Sequence, residues 1–223
     1  MAQPLLDEES GPHPRFRPLH ELPKAMRPKE KLAARGVRAL AHRDLLALVL
    51  TNNPSAAGLS RARQWGIPTE VIDHRQLRPR EAHERAVLDT LTRYQVDLVC
   101  LAGYMRLLGK TFVHAYHHRM MNVHPSLLPA FPGLDAQAQA LHYGAKMAGC
   151  TVHFVDEVPD GGPIILQAAV PVLEDDTEDT LSARILEQEH RIYPEAVALF
   201  FDGRLKLDGR RVHVLAEAPA ERP

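Results

Sequence analysis

Leu45-Leu46-Ala47-Leu48-Val49-Leu50-Thr51, closed by Asn52-Asn53-Pro54-Ser55, decides the fold of this chain. A continuous apolar run of this length that ends in turn residues reads as a β-strand buried on both faces. Strands of that kind belong to parallel sheets covered by helices on both sides. The sequence downstream keeps the same rhythm. A short helix is expected over residues 57–65, stopped by Gly66, and then a strand over 69–72. A helix over 80–94 carries Val87, Leu88 and Leu91 on its apolar side. A second continuous run, Asp97-Leu98-Val99-Cys100-Leu101-Ala102, ends at Gly103, and a short helix over 111–116 leads to a strand over 120–124. Such alternation implies βαβ units.

After residue 150 the pattern changes. Residues 151–155 and 164–172 read as strands, joined through Val158-Pro159-Asp160-Gly161, which fits a type I turn with Pro second and Gly fourth. A long helix is expected over 177–200, capped by Asp176 or Thr177, and a hairpin over 205–215 turns at Asp208-Gly209. The expectation is an α/β protein. Its sheet is Rossmann-like, mostly parallel and twisted, with helices on both faces and a C-terminal antiparallel portion. One domain spans 44–216, and 217–223 form a flexible tail. Residues 1–43 fit badly, because 13–43 are rich in Arg, Lys, His and Pro and lack a buried-strand run.

The 223 residues suffice for one good-sized core, and 45% hydrophobic with 25% charged residues is ordinary for a globular chain. A net charge of -1 gives no global pointer to nucleic acid or to an anionic membrane. There is no apolar run of the roughly 18 residues that a spanning helix needs, and the opening MAQPLLDEES lacks the pattern of a signal peptide. The protein is therefore expected in the cytoplasm, without nucleic-acid or membrane partners. Cys100 and Cys150 each lie in a strand-like run and read as buried thiols. His114, His117 and His118 are the densest group among 13 histidines. With no Cys partners and no His-Glu-x-x-His pattern, they read as solvated, and no metal is expected.

The candidate chemistry lies in Asn122-Val123-His124-Pro125-Ser126-Leu127-Leu128-Pro129. Residues two apart on a strand share a face, so Asn122 and His124 would project together from a strand end. Open α/β sheets bind their ligands at such ends. An amide donor beside an imidazole can hold a carbonyl oxygen as it gains charge. A strand-end histidine bonded within the fold has the same spacing, so both readings stand. Asp160 is a common turn residue, or it relays a proton and holds His124 charged. Thr151 is an ordinary strand threonine or a hydroxyl serving the catalytic group. Glu189 falls inside the helical stripe Leu181, Ile185, Ile192, Ala196 and Leu199. A carboxylate there must be paired, protonated, bound to a ligand or snorkelling from the stripe's edge. Met105, Leu107 and Leu108, after the turn at Gly103, either line an apolar pocket or belong to the core.

Ala102-Gly103-Tyr104-Met105-Arg106, the Asn122 motif, Gly149-Cys150-Thr151-Val152-His153-Phe154-Val155, Asp160-Gly161-Gly162-Pro163-Ile164 and Glu187-Gln188-Glu189-His190, in this order, resemble the glycinamide ribonucleotide formyltransferase family. The resemblance covers about residues 45–207, and Pro132-Gly133-Leu134 favours this family over formyltetrahydrofolate hydrolases and methionyl-tRNA formyltransferases. It implies the formyltransferase fold and Asn122, His124 and Asp160 as a catalytic trio supported by Thr151. It also implies a folate pocket built from Arg80, Met105, Arg106, Leu107, Leu108, Asp156, Glu157, Val158 and Pro159, with Glu189 binding the ribonucleotide. The implied co-substrate is 10-formyltetrahydrofolate, with no metal, and the implied protein is a monomer or weak homodimer working on small molecules. Hydrolysis of the formyl-folate and an inactive folate-binding remnant are the alternatives.

Two departures stand out. Gln137 occupies a position where the family commonly has His. The family also opens with an apolar strand and a Gly-rich loop whose backbone N–H groups hold the substrate phosphate. Counting back from Leu45, that loop falls on Ala25-Met26-Arg27-Pro28-Lys29, which has no glycine, after a segment with Pro18 and Pro23. A reading-frame error over residues 1–43, or a divergent N-terminus in which Arg27 and Lys29 meet phosphate, would each account for this. A chain missing that strand is expected to fold marginally or to hold the phosphate poorly.

Overall fold

The computed structural model describes residues 47–216. The atypical segment 1–43, the start of the run at Leu45 and the tail 217–223 lie outside the described residues. The elements are β1 (Val49–Thr51), α1 (Ala57–Gln64), β2 (Thr69–Val71), α2 (Arg80–Arg93), β3 (Val99–Leu101), α3 (Lys110–Ala115) and β4 (Met120–His124). They continue as α4 (Ala136–Tyr143), β5 (Met147–Phe154), β6 (Ile164–Pro171), α5 (Glu178–Phe201), β7 (Leu205–Asp208) and β8 (Arg211–Val214).

Parallel pairing governs the N-terminal half, where β1 pairs with β2 and β3 with β4. Antiparallel pairing governs the C-terminal half, where β4 meets β5, β5 meets β6 and β7 meets β8. One parallel pair, Ile164 with Arg211, joins β6 to β8. The strand order is β3-β4-β5-β6-β8-β7, and β1-β2 form a separate two-stranded sheet. No ladder joins β1 to β3 among the described residues. Yet Leu48 and Leu50 at β1, and Val99 and Leu101 on β3, pack on one cluster of Val87, Leu91, Phe112, Val113, Tyr116 and Met120. Both edges thus sit over the same helical layer of α2 and α3.

On β5 alternate residues part company. Ala148, Cys150, Val152 and Phe154 join the larger core with Leu181, Ile185, Ile192 and Ala196 of α5. Thr151 and His153, with the opposite parity, face the other side. Fully burying a side chain such as Phe154 stabilises the fold by about 1.5–3 kcal/mol. Thr177 caps α5 by accepting from the Thr180 N–H, and Thr180 reciprocates to the Thr177 N–H. Glu178 and Asp179 complement the dipole at that end. Tyr193 then ties α5 to the sheet, its hydroxyl lying 2.8 Å from the Leu101 carbonyl oxygen and 3.0 Å from that of Met121.

Three expectations are corrected. The turn at 158–161 closes with Gly161 N–H donating to the Val158 carbonyl at 2.9 Å, but Asp160 has φ 53°, which the third position of a type I turn does not take. With Pro159 restricting the second position, this is a turn of the type II kind. Helix α4 is an element the sequence does not lead one to expect, because its buried side is only Ala136 and Ala140. Cys150 is fully buried, but Cys100 is exposed on β3, which lies at an edge of its sheet among the described residues.

Candidate active site

The β4–β5 register builds the site. Asn122 lies opposite His153 and His124 opposite Thr151. Directly opposed residues share a face, so four polar side chains collect on one patch. The β5–β6 connection then folds back over that patch and delivers Asp160. Gly162 permits this return, because a Cβ there would strike the Phe154 carbonyl oxygen. The left-handed φ of Asp160 is a conformation that Asp tolerates better than most side chains.

The carboxylate bridges two loops. Its Oδ2 accepts from the Gly133 N–H at 2.8 Å and lies 3.5 Å from His124 Nδ1. Its Oδ1 lies 3.8 Å from His153 Nε2. Asn122 Nδ2 is 3.4 Å from the same His153 nitrogen. His124 Nε2 is 2.9 Å from the Phe131 carbonyl oxygen, and His153 Nδ1 is 2.9 Å from that of Phe154. His124 and His153 are buried, while Asp160 keeps some exposure. Burial pushes the His153 pKa down, and any charge on the neighbouring His124 acts the same way, against the Phe154 bond, Asp160 and Asp156. The expected trio is therefore together, and His153 joins it. His153 sits two residues after Thr151, but only the strand register places it against Asn122.

Thr151 is beneath the site rather than in it. Its hydroxyl donates to the Ser126 carbonyl at 2.7 Å and accepts from the Leu128 N–H at 3.0 Å and from Gln167 Nε2 at 2.9 Å. It thereby pins the loop that follows His124.

The expected folate residues converge on the start of α3. Arg80 opens α2 and lies 3.3 Å from Glu84, and Glu84 in turn accepts from the Gly109 N–H at 2.9 Å. Gly109 directly follows Met105, Arg106, Leu107 and Leu108. On the other side, Glu157 accepts from Lys110 at 2.8 Å and pairs with His114 at 2.7 Å, which holds the Asp156–Pro159 loop to α3. Those two partners keep the Glu157 carboxyl below its usual range. Asp156 folds the loop by accepting from the Val158 N–H at 2.8 Å. Met105, Leu107 and Val158 are exposed apolar side chains, whereas Leu108 packs on the α2–α3 cluster. His114, read from sequence as solvated, is exposed but anchors this loop.

Glu189 is half-buried in the middle of α5. Burial raises its pKa, opposed by His190 and His124. It has no hydrogen bond or ion pair with another described residue. Among the described residues no three His, Cys, Asp or Glu side chains are grouped to hold a metal ion. An amide donor, two imidazoles and a carboxylate can polarise a carbonyl, hold its oxygen as charge develops, and accept a proton from an attacking group.

Phosphoribosylglycinamide formyltransferase of Escherichia coli is 47% identical over 171 residues, covering 74% of this chain and 81% of that protein. Glycinamide ribonucleotide transformylase 1 from Symbiobacterium toebii superposes with a TM-score of 0.74 at 55% identity, covering 75% of this chain and 79% of that one. The trifunctional purine biosynthetic protein adenosine-3 of Drosophila melanogaster is 50% identical over 162 residues, 73% of this chain but only 12% of that much longer protein. The sequence profile of the formyl transferase family matches residues 31–197. Together with the Asn122–His124–Asp160 geometry, this places the chain in the formyl transferase family.

Proposed function

We propose that this protein transfers the formyl group of 10-formyltetrahydrofolate to the amine of glycinamide ribonucleotide, a step of purine biosynthesis. The amine nitrogen attacks the formyl carbon, a C–N bond forms, and the carbonyl oxygen becomes an oxyanion. Asn122 donates to that oxygen through its amide N–H, and His124 donates from Nδ1 when it is protonated, because its Nε2–H is held by the Phe131 carbonyl. The proton lost by the amine passes to Asp160, directly or through water. The bond from the formyl carbon to the folate nitrogen then breaks, and that nitrogen takes the proton. The folate supplies the reactive carbon; the protein supplies position and electrostatics.

The observation that carries the reading is the meeting of Asn122, His124 and Asp160 from two distant segments, with His124 Nδ1 3.5 Å from the carboxylate. The convergence of Arg80, the Met105–Leu108 segment and the Asp156–Pro159 loop on α3 supports a folate pocket there. The half-buried Glu189, which makes no ion pair among the described residues, supports an amine substrate over water as acceptor. The test is steady-state formyl transfer by Asn122→Ala, with and without the amine. Losing one oxyanion donor typically costs about 100- to 1000-fold in rate; near-normal transfer would falsify the assignment. Deformylation that proceeds equally without the amine identifies a hydrolase, and folate binding without turnover identifies an inactive remnant.

We extend the proposal to the setting. No helix of the described residues is long and apolar enough to cross a membrane. The protein is taken to act in the cytoplasm on small molecules, as a monomer or weak homodimer, without metal, nucleic acid or membrane. We also propose that residues 1–43 are out of frame or divergent, so that the substrate phosphate is held weakly. The family match begins only at residue 31, which supports this for residues 1–30. Resequencing that reveals no frameshift restoring an apolar strand and Gly-rich loop eliminates the frame error.

A further inference from the structure

We propose that His153 is a positioning residue of this site: held in the Nδ1–H form by the Phe154 carbonyl, it presents a bare Nε2 that fixes which edge of the Asn122 amide faces it and leaves the second amide N–H for the substrate oxygen. The inference rests on the proposed formyl transfer, and it starts from hydrogen-bond bookkeeping. A carbonyl oxygen only accepts. The 2.9 Å contact between His153 Nδ1 and Phe154 O therefore puts a proton on Nδ1. The side chain is 2% exposed, so its charged form is disfavoured. A neutral imidazole protonated at Nδ1 has a lone pair, and no proton, at Nε2.

That lone pair has two polar neighbours. Asn122 Nδ2 is at 3.4 Å and Asp160 Oδ1 at 3.8 Å. A bare nitrogen accepts from an N–H and repels an oxygen. The Asn122 amide must then turn its nitrogen toward His153, because the flipped amide would set Oδ1 against the lone pair. An amide nitrogen has two N–H groups. With one spent on His153, the other is free to donate to a developing oxyanion.

His124 differs in an instructive way. Its Nε2–H is committed to the Phe131 carbonyl by the same logic, and its Nδ1 faces Asp160 Oδ2 at 3.5 Å. That pair can gain a proton between nitrogen and oxygen, which makes a charge-assisted bond. His153 has no such gain, because its proton is fixed on the far nitrogen and its burial opposes a second one. The titratable groups around it are His124 of β4 and Asp160 and Asp156 of the β5–β6 connection; burial outweighs the two carboxylates, and the His124 charge acts with burial. The proton released by the amine therefore goes to the His124–Asp160 pair, while His153 stays neutral and holds the amide.

Two measurements test this. The first uses the unaltered protein: imidazole nitrogen shifts by NMR across about pH 5–8, the range in which histidines ordinarily titrate. The expected result is one histidine, assigned to His153 by its loss in His153→Gln, that stays neutral and Nδ1-protonated throughout. A His153 that is Nε2-protonated or titrates in that range overturns the proposal. The second is a double-mutant cycle on formyl transfer. His153→Phe is expected to lower kcat about 10- to 100-fold, the usual scale for losing an orienting partner, with KM for both substrates nearly unchanged. The same change in an Asn122→Ala background is expected to have little further effect, and His153→Gln, whose side-chain oxygen can accept, to recover part of the loss. Equal losses in both backgrounds mean a merely structural role and overturn the proposal. If no formyl transfer is found at all, the proposed function falls, and the nitrogen shifts still decide the state of His153.

Discussion

Replacing Thr151 by Val keeps the shape of the side chain and removes its hydroxyl, and the structure allows the cost to be worked out. Three hydrogen bonds vanish: the donation to the Ser126 carbonyl and the acceptances from the Leu128 N–H and Gln167 Nε2. Gln167 keeps its 2.9 Å bond to the Leu128 carbonyl, so its amide is not stranded. Ser126 and Leu128 are 2% and 4% exposed, and the Thr151 side chain is inaccessible, so water has poor access to the two backbone groups left behind. Each stranded buried group costs about 1–3 kcal/mol. Taking the lower half of that range for each gives a destabilisation of about 2–4 kcal/mol, a large share of the 5–15 kcal/mol typical of a domain. Urea unfolding of Thr151→Val measures it. Thr151→Ser, which keeps the hydroxyl and loses one methyl, is expected to cost only about 1 kcal/mol. The loop freed by Thr151→Val begins at His124 and leads to Phe131, whose carbonyl orients the His124 ring. The formyl-transfer kcat is therefore expected to fall about tenfold or more, the scale seen when an orienting partner is lost. A Val variant within about 0.5 kcal/mol of wild type, a typical neutral surface change, or a Ser variant as damaged as the Val one, would refute the reasoning.

Two further predictions concern charges on α5 and just before its start. Glu189→Gln is expected to raise KM for the amine substrate much more than it lowers kcat, as steady-state kinetics would show. It is also expected to stabilise the protein at neutral pH. Burial raises the native pKa of Glu189 above its ordinary 4.5, so its contribution is fully present below that value and is lost as pH rises through the native one. A Tm advantage for the Gln variant that does not grow between acid and neutral pH would contradict this. Asp176 shows the opposite sign. Its carboxylate accepts from Arg184 at 2.7 and 2.8 Å and from the Leu173 N–H at 2.7 Å, which hold it well below the usual carboxylate range. The stability it adds is present above its unfolded value near 3.8 and is lost as pH falls through the native one. Arg184→Ala should therefore flatten the acid limb of a stability–pH curve, and an unchanged slope would rule the pair out as its cause.

The strand–helix alternation was legible because buried parallel strands leave continuous apolar runs, as in Asp97-Leu98-Val99-Cys100-Leu101-Ala102, of which the ordered core is Val99–Leu101. Thr177 was legible as a cap because the capping chemistry is local. Helix α4 was not, since two small alanines make a faint apolar stripe. The turn type was missed for a different reason: Pro-Asp-Gly suits type I, and only the tertiary demand that Asp160 reach back over β4 selects a left-handed φ. His153 was hidden because its role depends on strand register, which residue spacing does not contain. Thr151 reads from sequence as a strand threonine or a hydroxyl serving the catalytic group, and its hydroxyl instead meets loop backbone and Gln167.

The place where pairing changes direction explains why the site can be so compact. β4 is parallel to β3 on one edge and antiparallel to β5 on the other. In a wholly parallel sheet, chemistry gathers beyond the strand ends, on loops. Here the antiparallel neighbour runs past the end of β4, so the later half of β5 supplies His153 opposite Asn122 and Thr151 opposite His124. Three of the polar groups, Asn122, His124 and His153, are thereby fixed by ladder hydrogen bonds rather than by loop conformation. Only Asp160 arrives on a loop, and it is held from both sides, by the turn bond of Gly161 to Val158 and by the Gly133 N–H. The carboxylate proposed to take the amine's proton is more exposed than either imidazole, and it arrives on the loop, whereas Asn122, His124 and His153 sit on the sheet.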